Sequence, residues 1–398
     1  MLTAATRVGV LGAGAMGSGI AQVAASAGHP VVLADVDTAA LTRAEAGMRK
    51  ALVREVEKGR RVASDVDALL GRIRFITAAA PARQVFGECG LVIEAIVEDL
   101  SAKQEAFGAL DEAAPAAPAP DAVLATNTSS LSITAVAAAC RHPERVLGVH
   151  FFNPAPVMPL VEIVAGQATD SAVLAEMRAL VERWGKTTVV AQDTPGFIVN
   201  RIARPFYGEA LQLLEEGVAD CATIDWAMRE IGGFRMGPFE LMDLIGNDVN
   251  YAVTCSVFEA FYWDPRYRPS LLQRRMVDAG LLGRKAGRGY YDYGDGAGRA
   301  EPHRDEALGR TVVDRILAML INEAADALRL GIASREDIDL AMTTGVNYPR
   351  GLLRWADDLG IATVLERLEA LQAEYGEDRY RPSPLLRRMA REKGTFYR

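Results

Sequence analysis

A mostly parallel, doubly wound α/β domain followed by two tandem all-α domains is the fold class this sequence predicts. Three observations lead there. Short apolar runs alternate with helical stretches through residues 1–192, a glycine-rich turn separates the first run from the first helical stretch, and the rest is helical and repeats itself. Strands alternating with helices need crossover connections, which place helices on both faces of a parallel sheet. The expected division is 1–192, 193–293 and 294–398, with the third segment a degenerate copy of the second.

The elements follow in order. Arg7-Val8-Gly9-Val10-Leu11 reads as a short buried strand, Ser18 to Ala27 as a helix of small and apolar residues, and Val31-Val32-Leu33-Ala34-Asp35 as a second strand. Together they have the length of a right-handed βαβ crossover. A long charged helix is expected from Thr38 to Arg61, and further strands at residues 73–75, 91–94, 123–126 and 146–150. The Ala/Pro stretch 113–120 reads as a connection into the strand at Val123, not as a domain boundary. The change of character comes at Gln192-Asp193-Thr194-Pro195-Gly196.

Composition narrows the function classes. The net charge of −8 leaves no basic excess for neutralising nucleic-acid phosphates. The four cysteines are scattered without a CxxC pair, which suggests buried, reduced thiols, and the four histidines form no metal-ligand pattern. No basic, apolar leader opens the chain and no stretch reaches the length of a membrane span, so a cytoplasmic protein is expected.

The helical half repeats. Residues 200–246 and 314–360 align without a gap at an offset of 114, pairing Arg201 with Arg315, Glu209 with Glu323, Gly237 with Gly351 and Asp243 with Asp357. Arg266-Tyr267-Arg268-Pro269-Ser270 then recurs as Arg379-Tyr380-Arg381-Pro382-Ser383. So many identities at fixed spacing indicate a tandem duplication. The copies are not equivalent: Asn200 becomes Asp314, and no counterpart of residues 283–290 is apparent.

Gly12-Ala13-Gly14-Ala15-Met16-Gly17 follows a strand, opens a helix and has an acid, Asp35, 21 residues after Gly14. In that context the glycines mark a dinucleotide site of the Rossmann type. Gly12 permits the tight turn, Gly14 lets the backbone approach a pyrophosphate at the helix N-terminus, and Gly17 allows close helix–strand packing. Asp35 would accept from the adenosine ribose and repel a 2′-phosphate, favouring NAD over NADP, and Asp37 adds to that charge.

A second constellation is His150-Phe151-Phe152-Asn153-Pro154, with Glu162 twelve residues beyond the histidine. Oxidising a hydroxyl to a carbonyl needs a base of near-neutral pKa for the O–H proton and an acid behind it to hold its tautomer. His150 and Glu162 are residues of those types.

These motifs, with Thr126-Asn127-Thr128-Ser129-Ser130-Leu131, Asp193 to Arg201 and residues 283–290, resemble the L-3-hydroxyacyl-CoA dehydrogenase family in order from about residue 6 to residue 293. The resemblance implies NAD as cofactor, an acyl-CoA substrate, and His150 as general base with Glu162 as its partner. It implies that Ser129 and Asn200 hydrogen-bond the substrate's 3-oxygen or the base, and that Asn153 helps hold the loop and the substrate. Cofactor contacts are expected at Gly12, Gly14, Met16, Gly17, Asp35, Glu98, Lys103, Asn127, Ser129, Asn153 and Lys285. Without it, Asn127 and Ser129 could be turn formers and Lys103 a solvated helix charge.

The basic run between Arg49 and Arg61 reads as a solvated helix face or as a grip on the phosphoadenosine end of coenzyme A, with Lys50, Arg54 and Lys58 as the contacts. In relatives with one helical domain that domain forms the dimer interface. The second copy is therefore expected to pack on the first as an internal pseudo-dimer, leaving a monomer, with a homodimer through another surface still open. Two alternatives remain: a gulonate dehydrogenase/lambda-crystallin-like enzyme acting on a free hydroxy acid, and a catalytically silent NAD-binding structural protein.

Overall fold

The computed structural model describes residues 2–3, 5–78, 82–113, 122–296 and 300–397 and divides into two compact units, Met1–Thr194 and Pro195–Arg398. The expected boundary fell two residues earlier, and the two helical copies lie in one unit. The Ala/Pro connection expected at 113–120 lies almost wholly outside the described residues.

The first unit is built on an eight-stranded sheet: β1 Val8–Leu11, β2 Val31–Asp35, β3 Ile73–Thr77, β4 Leu91–Glu94, β5 Val123–Thr126, β6 Val146–Phe151, β7 Leu160–Ala165 and β8 Thr187–Gln192. Their order is β3-β2-β1-β4-β5-β6-β7-β8. All neighbours are parallel except β6 and β7. The chain reverses direction across the sheet between β1 and β4, and a crevice at the carboxyl ends of such strands is where ligands bind in open α/β sheets.

Six of the eight strands stand where the sequence puts them. β7 and β8 were not anticipated, because Glu162 interrupts the first and Thr187-Thr188 opens the second. Strand residues such as Val10, Leu33, Ile93, Val149 and Ile163 are fully buried, as a sheet covered on both faces requires. Each contributes about 1.5–3 kcal/mol on burial. Helix α1 spans Ala15–Ser26 and α2 spans Thr38–Glu57. Asp37 caps α2 by accepting from the Ala39 N–H, and Gly59 at φ +68° ends it short of the expected Arg61. Helix α3, Leu100–Ala113, follows β4.

The second unit is built of helices, as its periodicity implies, with isolated β-bridges pairing Gly283 with Arg288 and Arg288 with Asp292. The elements used below are α4 Arg204–Glu215, α5 Asn247–Ala260, α6 Leu271–Asp278, α7 Glu306–Arg329, α8 Ile361–Tyr375 and α9 Pro384–Glu392. The two copies pack on each other through reciprocal ionic clusters. Glu323 faces Arg201 Nε at 3.4 Å and Arg266 Nη1 at 3.1 Å and accepts from the Tyr267 hydroxyl at 2.6 Å. Its counterpart Glu209 faces Arg315 Nε at 2.9 Å and Arg379 Nη2 at 2.9 Å and accepts from the Tyr380 hydroxyl at 3.2 Å. Every partner of one glutamate comes from the opposite copy, the pattern of an isologous two-fold interface.

One reading needs correction. Asp243 accepts from the N–H groups of Tyr290 and Tyr291, and Asp357 accepts in the same way from Phe396 and Tyr397. The aromatic end of 283–290 thus has a counterpart, hidden because the offset drops from 113 to 106 when the second copy shortens the preceding loop. Asp314, which replaces Asn200, pairs with Arg367 at 2.8 Å. Of the four unpaired cysteines only Cys89 is buried, whereas all were expected to be; Cys140, Cys221 and Cys255 are half-buried. Among the described residues no helix is long and apolar enough to cross a membrane, and no cluster of potential metal ligands occurs.

Candidate active site

The dinucleotide loop forms because only glycine fits it. Gly12 sits at φ +105°, and a Cβ there would lie 2.5 Å from the Ala95 carbonyl oxygen. A Cβ on Gly17 would lie 1.8 Å from the Gly12 carbonyl oxygen. At Gly14 the opposite holds: nothing stands within 4 Å of where a Cβ would be, so the backbone is open to approach. Gly14 also supplies no side-chain cap to α1, whose first-turn N–H groups and dipole suit an anion. Asp35 ends β2 and accepts from the Ala13 N–H at 2.6 Å and the Asp37 N–H at 2.9 Å, which ties the acid to the loop. Met16 packs against the sheet core. A bare approach for a pyrophosphate beside a carboxylate for a ribose is the donor set a dinucleotide needs, so these residues fit NAD.

The antiparallel pairing of β6 and β7 places His150 directly opposite Glu162. His150 Nδ1 and Glu162 Oε2 are 2.7 Å apart, and Glu162 is 0% exposed. The Phe152 ring leans on the imidazole with centroids 4.5 Å apart. Asn127 accepts from the Phe151 N–H at 2.9 Å, pinning the end of β6 beside the histidine. A carboxylate at Nδ1 holds the imidazole orientation and leaves Nε2 as the proton-exchanging nitrogen.

A polar network lies at the ends of β4 and β5. Glu98 accepts from the Thr128 hydroxyl at 2.6 Å, the Ser129 N–H at 2.9 Å and the Ser130 hydroxyl at 3.1 Å. Burial pushes the Glu98 carboxyl up, but the Thr128 hydroxyl, the Lys103 charge and the Ser129 N–H outweigh it and hold it below the usual carboxylate range. Lys103 on α3 is no solvated charge: 1% exposed, it donates to Glu94 at 2.6 Å and pairs with Glu98 at 3.3 Å. Glu94 also accepts from the Thr126 hydroxyl and the Ile96 N–H, both at 2.7 Å.

Sequence reasoning missed Glu94, which looks like any strand-end acid until its burial is seen. It also missed Lys186, whose ammonium donates to the carbonyls of Ala155 at 2.6 Å and Met158 at 2.8 Å. That lysine fastens the loop following Asn153, and burial lowers its proton affinity.

Lys50, Arg54 and Lys58 recur at fours along α2 and its C-cap, all exposed, and none has an acidic partner among the described residues. Arg49 and Arg60 of the same run are engaged with Asp67 and Glu55. Asn200 and Lys285 stand in the second unit, where Asn200 accepts from Arg204 through its carbonyl and Lys285 pairs with Asp248 at 2.6 Å.

The model of the 3-hydroxyacyl-CoA dehydrogenase NAD-binding domain matches residues 7–194, and that of the corresponding C-terminal domain matches twice, at 196–293 and 312–395. The 3-hydroxyadipyl-CoA dehydrogenase of Escherichia coli K12 is 41% identical over 96% of this chain and 97% of its own length. A 3-hydroxybutyryl-CoA dehydrogenase of Mycobacterium tuberculosis is 42% identical over 74% of this chain and 100% of its own. Among solved structures, a 3-hydroxybutyryl-CoA dehydrogenase from Escherichia coli K12 superposes with a TM-score of 0.91 at 40% identity, covering 98% of this chain and 99% of the other.

Proposed function

We propose that this chain, which belongs to the 3-hydroxyacyl-CoA dehydrogenase family, works with His150 as its acid–base catalyst and Glu162 as the group that orients it. The enzyme is NAD-dependent and interconverts a 3-hydroxyacyl-CoA and its 3-ketoacyl form. The relatives that match this chain end to end are 3-hydroxyacyl-CoA dehydrogenases, which supports this reading over the free hydroxy acid, and the buried His150–Glu162 pair supports it over a silent binding protein.

The observation that carries the proposal is the buried 2.7 Å contact between His150 Nδ1 and Glu162 Oε2 in strand register. As the 3-hydroxyl O–H breaks, its proton passes to His150 Nε2, and the Glu162 charge stabilises the imidazolium. NAD, when bound, accepts the C3 hydrogen with its electron pair. The Ser129 hydroxyl is the donor we assign to the substrate's 3-oxygen, where charge develops. Glu98, held by Thr128 and Lys103, positions that serine by accepting from its N–H. In reduction the same imidazolium returns the proton.

The acyl chain we propose is short, from butyryl to adipyl, following the relatives that match this chain end to end. Lys50, Arg54 and Lys58 are proposed to attract the coenzyme A phosphates. Because each glutamate of the reciprocal clusters is satisfied within one chain, we propose a monomer. On this reading its reactants place its work in the cytoplasm.

The test is loss of NADH absorbance with acetoacetyl-CoA. His150→Ala is expected to be slower by about a hundredfold or more with NAD binding intact. Wild-type rates in the variant would remove His150 from the chemistry.

A further inference from the structure

The second unit contains a cavity of about 580 Å³ among α4, α5, α6 and residues 266–270. Five arginines line it: Arg204, Arg266, Arg268, Arg274 and Arg379. Four are balanced by acids. Arg266 pairs with Asp264, Arg268 with Glu377, Arg274 with Asp278 and Arg379 with Glu209. Arg204 has no carboxylate partner among the described residues, although it is only 7% exposed. Its Nε donates to the Asn200 carbonyl at 2.8 Å, its Nη1 donates to the Thr254 hydroxyl at 3.1 Å, and its guanidinium lies 5.0 Å from the centre of the Tyr207 ring.

A buried cation without a counter-charge is costly and is normally paired. The one acid lining the cavity, Glu215, sits at the far end of α4, about 16 Å along the helix at 1.5 Å per residue. There it accepts from the Leu272 N–H. Burial lowers the proton affinity of Arg204 and no acid offsets it. The Tyr348 hydroxyl, within electrostatic reach of the guanidinium, is itself buried without a partner.

The duplication supplies an internal control. In the first copy Arg204, Asn250, Thr254 and Gln273 form a buried polar set, in which Gln273 donates to Asn250 at 2.7 Å. The equivalent positions in the second copy are Ala318, Val364, Leu368 and Leu386, none more than 1% exposed. The same helices therefore pack as a dry aliphatic layer where nothing polar is required. Polar residues at these four positions are not a demand of the fold, and their presence in one copy points to a ligand.

We propose that Arg204 anchors a carboxylate-binding pocket that receives the carboxylated end of a dicarboxylyl acyl chain. The guanidinium fork matches a planar carboxylate, and the Thr254 hydroxyl and the rings of Tyr207 and Tyr251 complete a lining for a short methylene chain. The length fits. Arg204 stands beside Asn200, the residue assigned to the 3-oxygen by family resemblance, and donates from Nε to its carbonyl at 2.8 Å. Three carbon–carbon bonds beyond C3 reach about 4 Å, and a hydrogen bond adds about 3 Å.

This inference rests on the acyl-CoA reading above, so the experiment separates the two. Full-length enzyme is assayed in the reducing direction with 3-ketoadipyl-CoA and with 3-ketohexanoyl-CoA, equal in length but lacking the carboxylate. Wild type should favour the ketoadipyl ester, and Arg204→Met should cut kcat/KM for it by about tenfold to a hundredfold, chiefly through KM. The hexanoyl ester should lose far less, and Arg204→Lys should recover part of the loss. An equal fall on both substrates makes Arg204 a support for Asn200 and overturns the proposal, as does the lack of any preference in wild type. If free adipate alters hexanoyl turnover in wild type but not in Arg204→Met, and no ketoadipyl preference exists, the ligand is a separate molecule and the substrate assignment falls. In each of these cases His150-dependent turnover of the hexanoyl ester persists, whereas failure of the acyl-CoA reading would abolish it.

Discussion

Glu209 and Glu323 are images of one another, 114 residues apart in sequence, and each is buried among an arginine pair and a tyrosine hydroxyl supplied by the opposite helical copy. The pairing holds the second unit together, so removing one partner has a calculable cost. Glu323→Ala leaves Arg201 sharing Asp326 with Arg266, which keeps only its aspartates, and removes the acceptor of the buried Tyr267 hydroxyl. A loss of about 3–5 kcal/mol in denaturant unfolding is expected, with Glu209→Ala similar. Sedimentation of the wild type should give the mass of one chain. A loss under about 1 kcal/mol for both variants would show that packing, not the ionic clusters, joins the copies.

On the proposed reading Glu162 acts through His150, 2.7 Å away. Glu162→Gln keeps the shape but removes the charge that stabilises the imidazolium. A fall in kcat of about ten- to a thousandfold is expected, with NAD affinity little changed and the rate's dependence on pH shifted. An unaltered pH–rate profile would mean the carboxylate only props the strand.

Asp35 accepts from the Ala13 N–H of the dinucleotide loop, and the proposed selectivity for NAD rests on its charge repelling a 2′-phosphate. Asp35→Ser should lower kcat/KM with NAD by about tenfold or more and raise the NADP-to-NAD ratio by a similar factor. Steady-state rates with both cofactors decide it, and an unchanged ratio would place the selectivity elsewhere.

Reversing the charge at Lys50, Arg54 and Lys58 together should raise KM for acetoacetyl-CoA by about tenfold at low salt, with the difference shrinking as ionic strength rises. KM measured across a salt series is the check. Equal values at every salt concentration would return this helix face to simple solvation.

Burial drives the Asp225 carboxyl up to about 7, although the Tyr291 hydroxyl and the N–H groups of Phe239 and Glu240 pull it down. The unfolded carboxyl titrates near 3.9, so between about pH 4 and 7 the native state keeps a proton that the unfolded chain has released. Stability from this group is therefore greatest at low pH and falls as pH rises, by up to about 1.4 kcal/mol per unit, levelling off above about 7. Unfolding of wild type and Asp225→Asn across that range should show the variant gaining relative stability with pH. A constant gap would mean that Asp225 ionises normally.

What could be read from the chain follows from how local its causes are. Gly12 and Gly17 are legible because backbone geometry excludes every other residue there, and Asp35 because it ends a strand at a fixed distance from them. The repeat was legible as identity, but which copy satisfies Glu209 depends on contacts more than a hundred residues apart. His150 and Glu162 were legible as a pair of types, yet their antiparallel register was not, since an acid in Leu160–Ala165 hides the strand. Glu94 and Lys186 escaped, and Lys103 read from the residues alone as solvated, for one reason: a buried charge and a solvated one are written with the same letter, and only the partners distinguish them.

A two-fold dimer of identical chains must tolerate each of its residues twice, once on either side of the axis. The fused helical copies escape that rule, and the exemption is visible at Glu215, whose counterpart is Arg329, and at Gln212, whose counterpart is Asp326. Each half can change sign, lose a loop or fill a pocket without imposing the same change on its mate. Symmetry survives where it bonds, at the paired glutamates, and elsewhere one half has become free to vary while the other stays bound to its task.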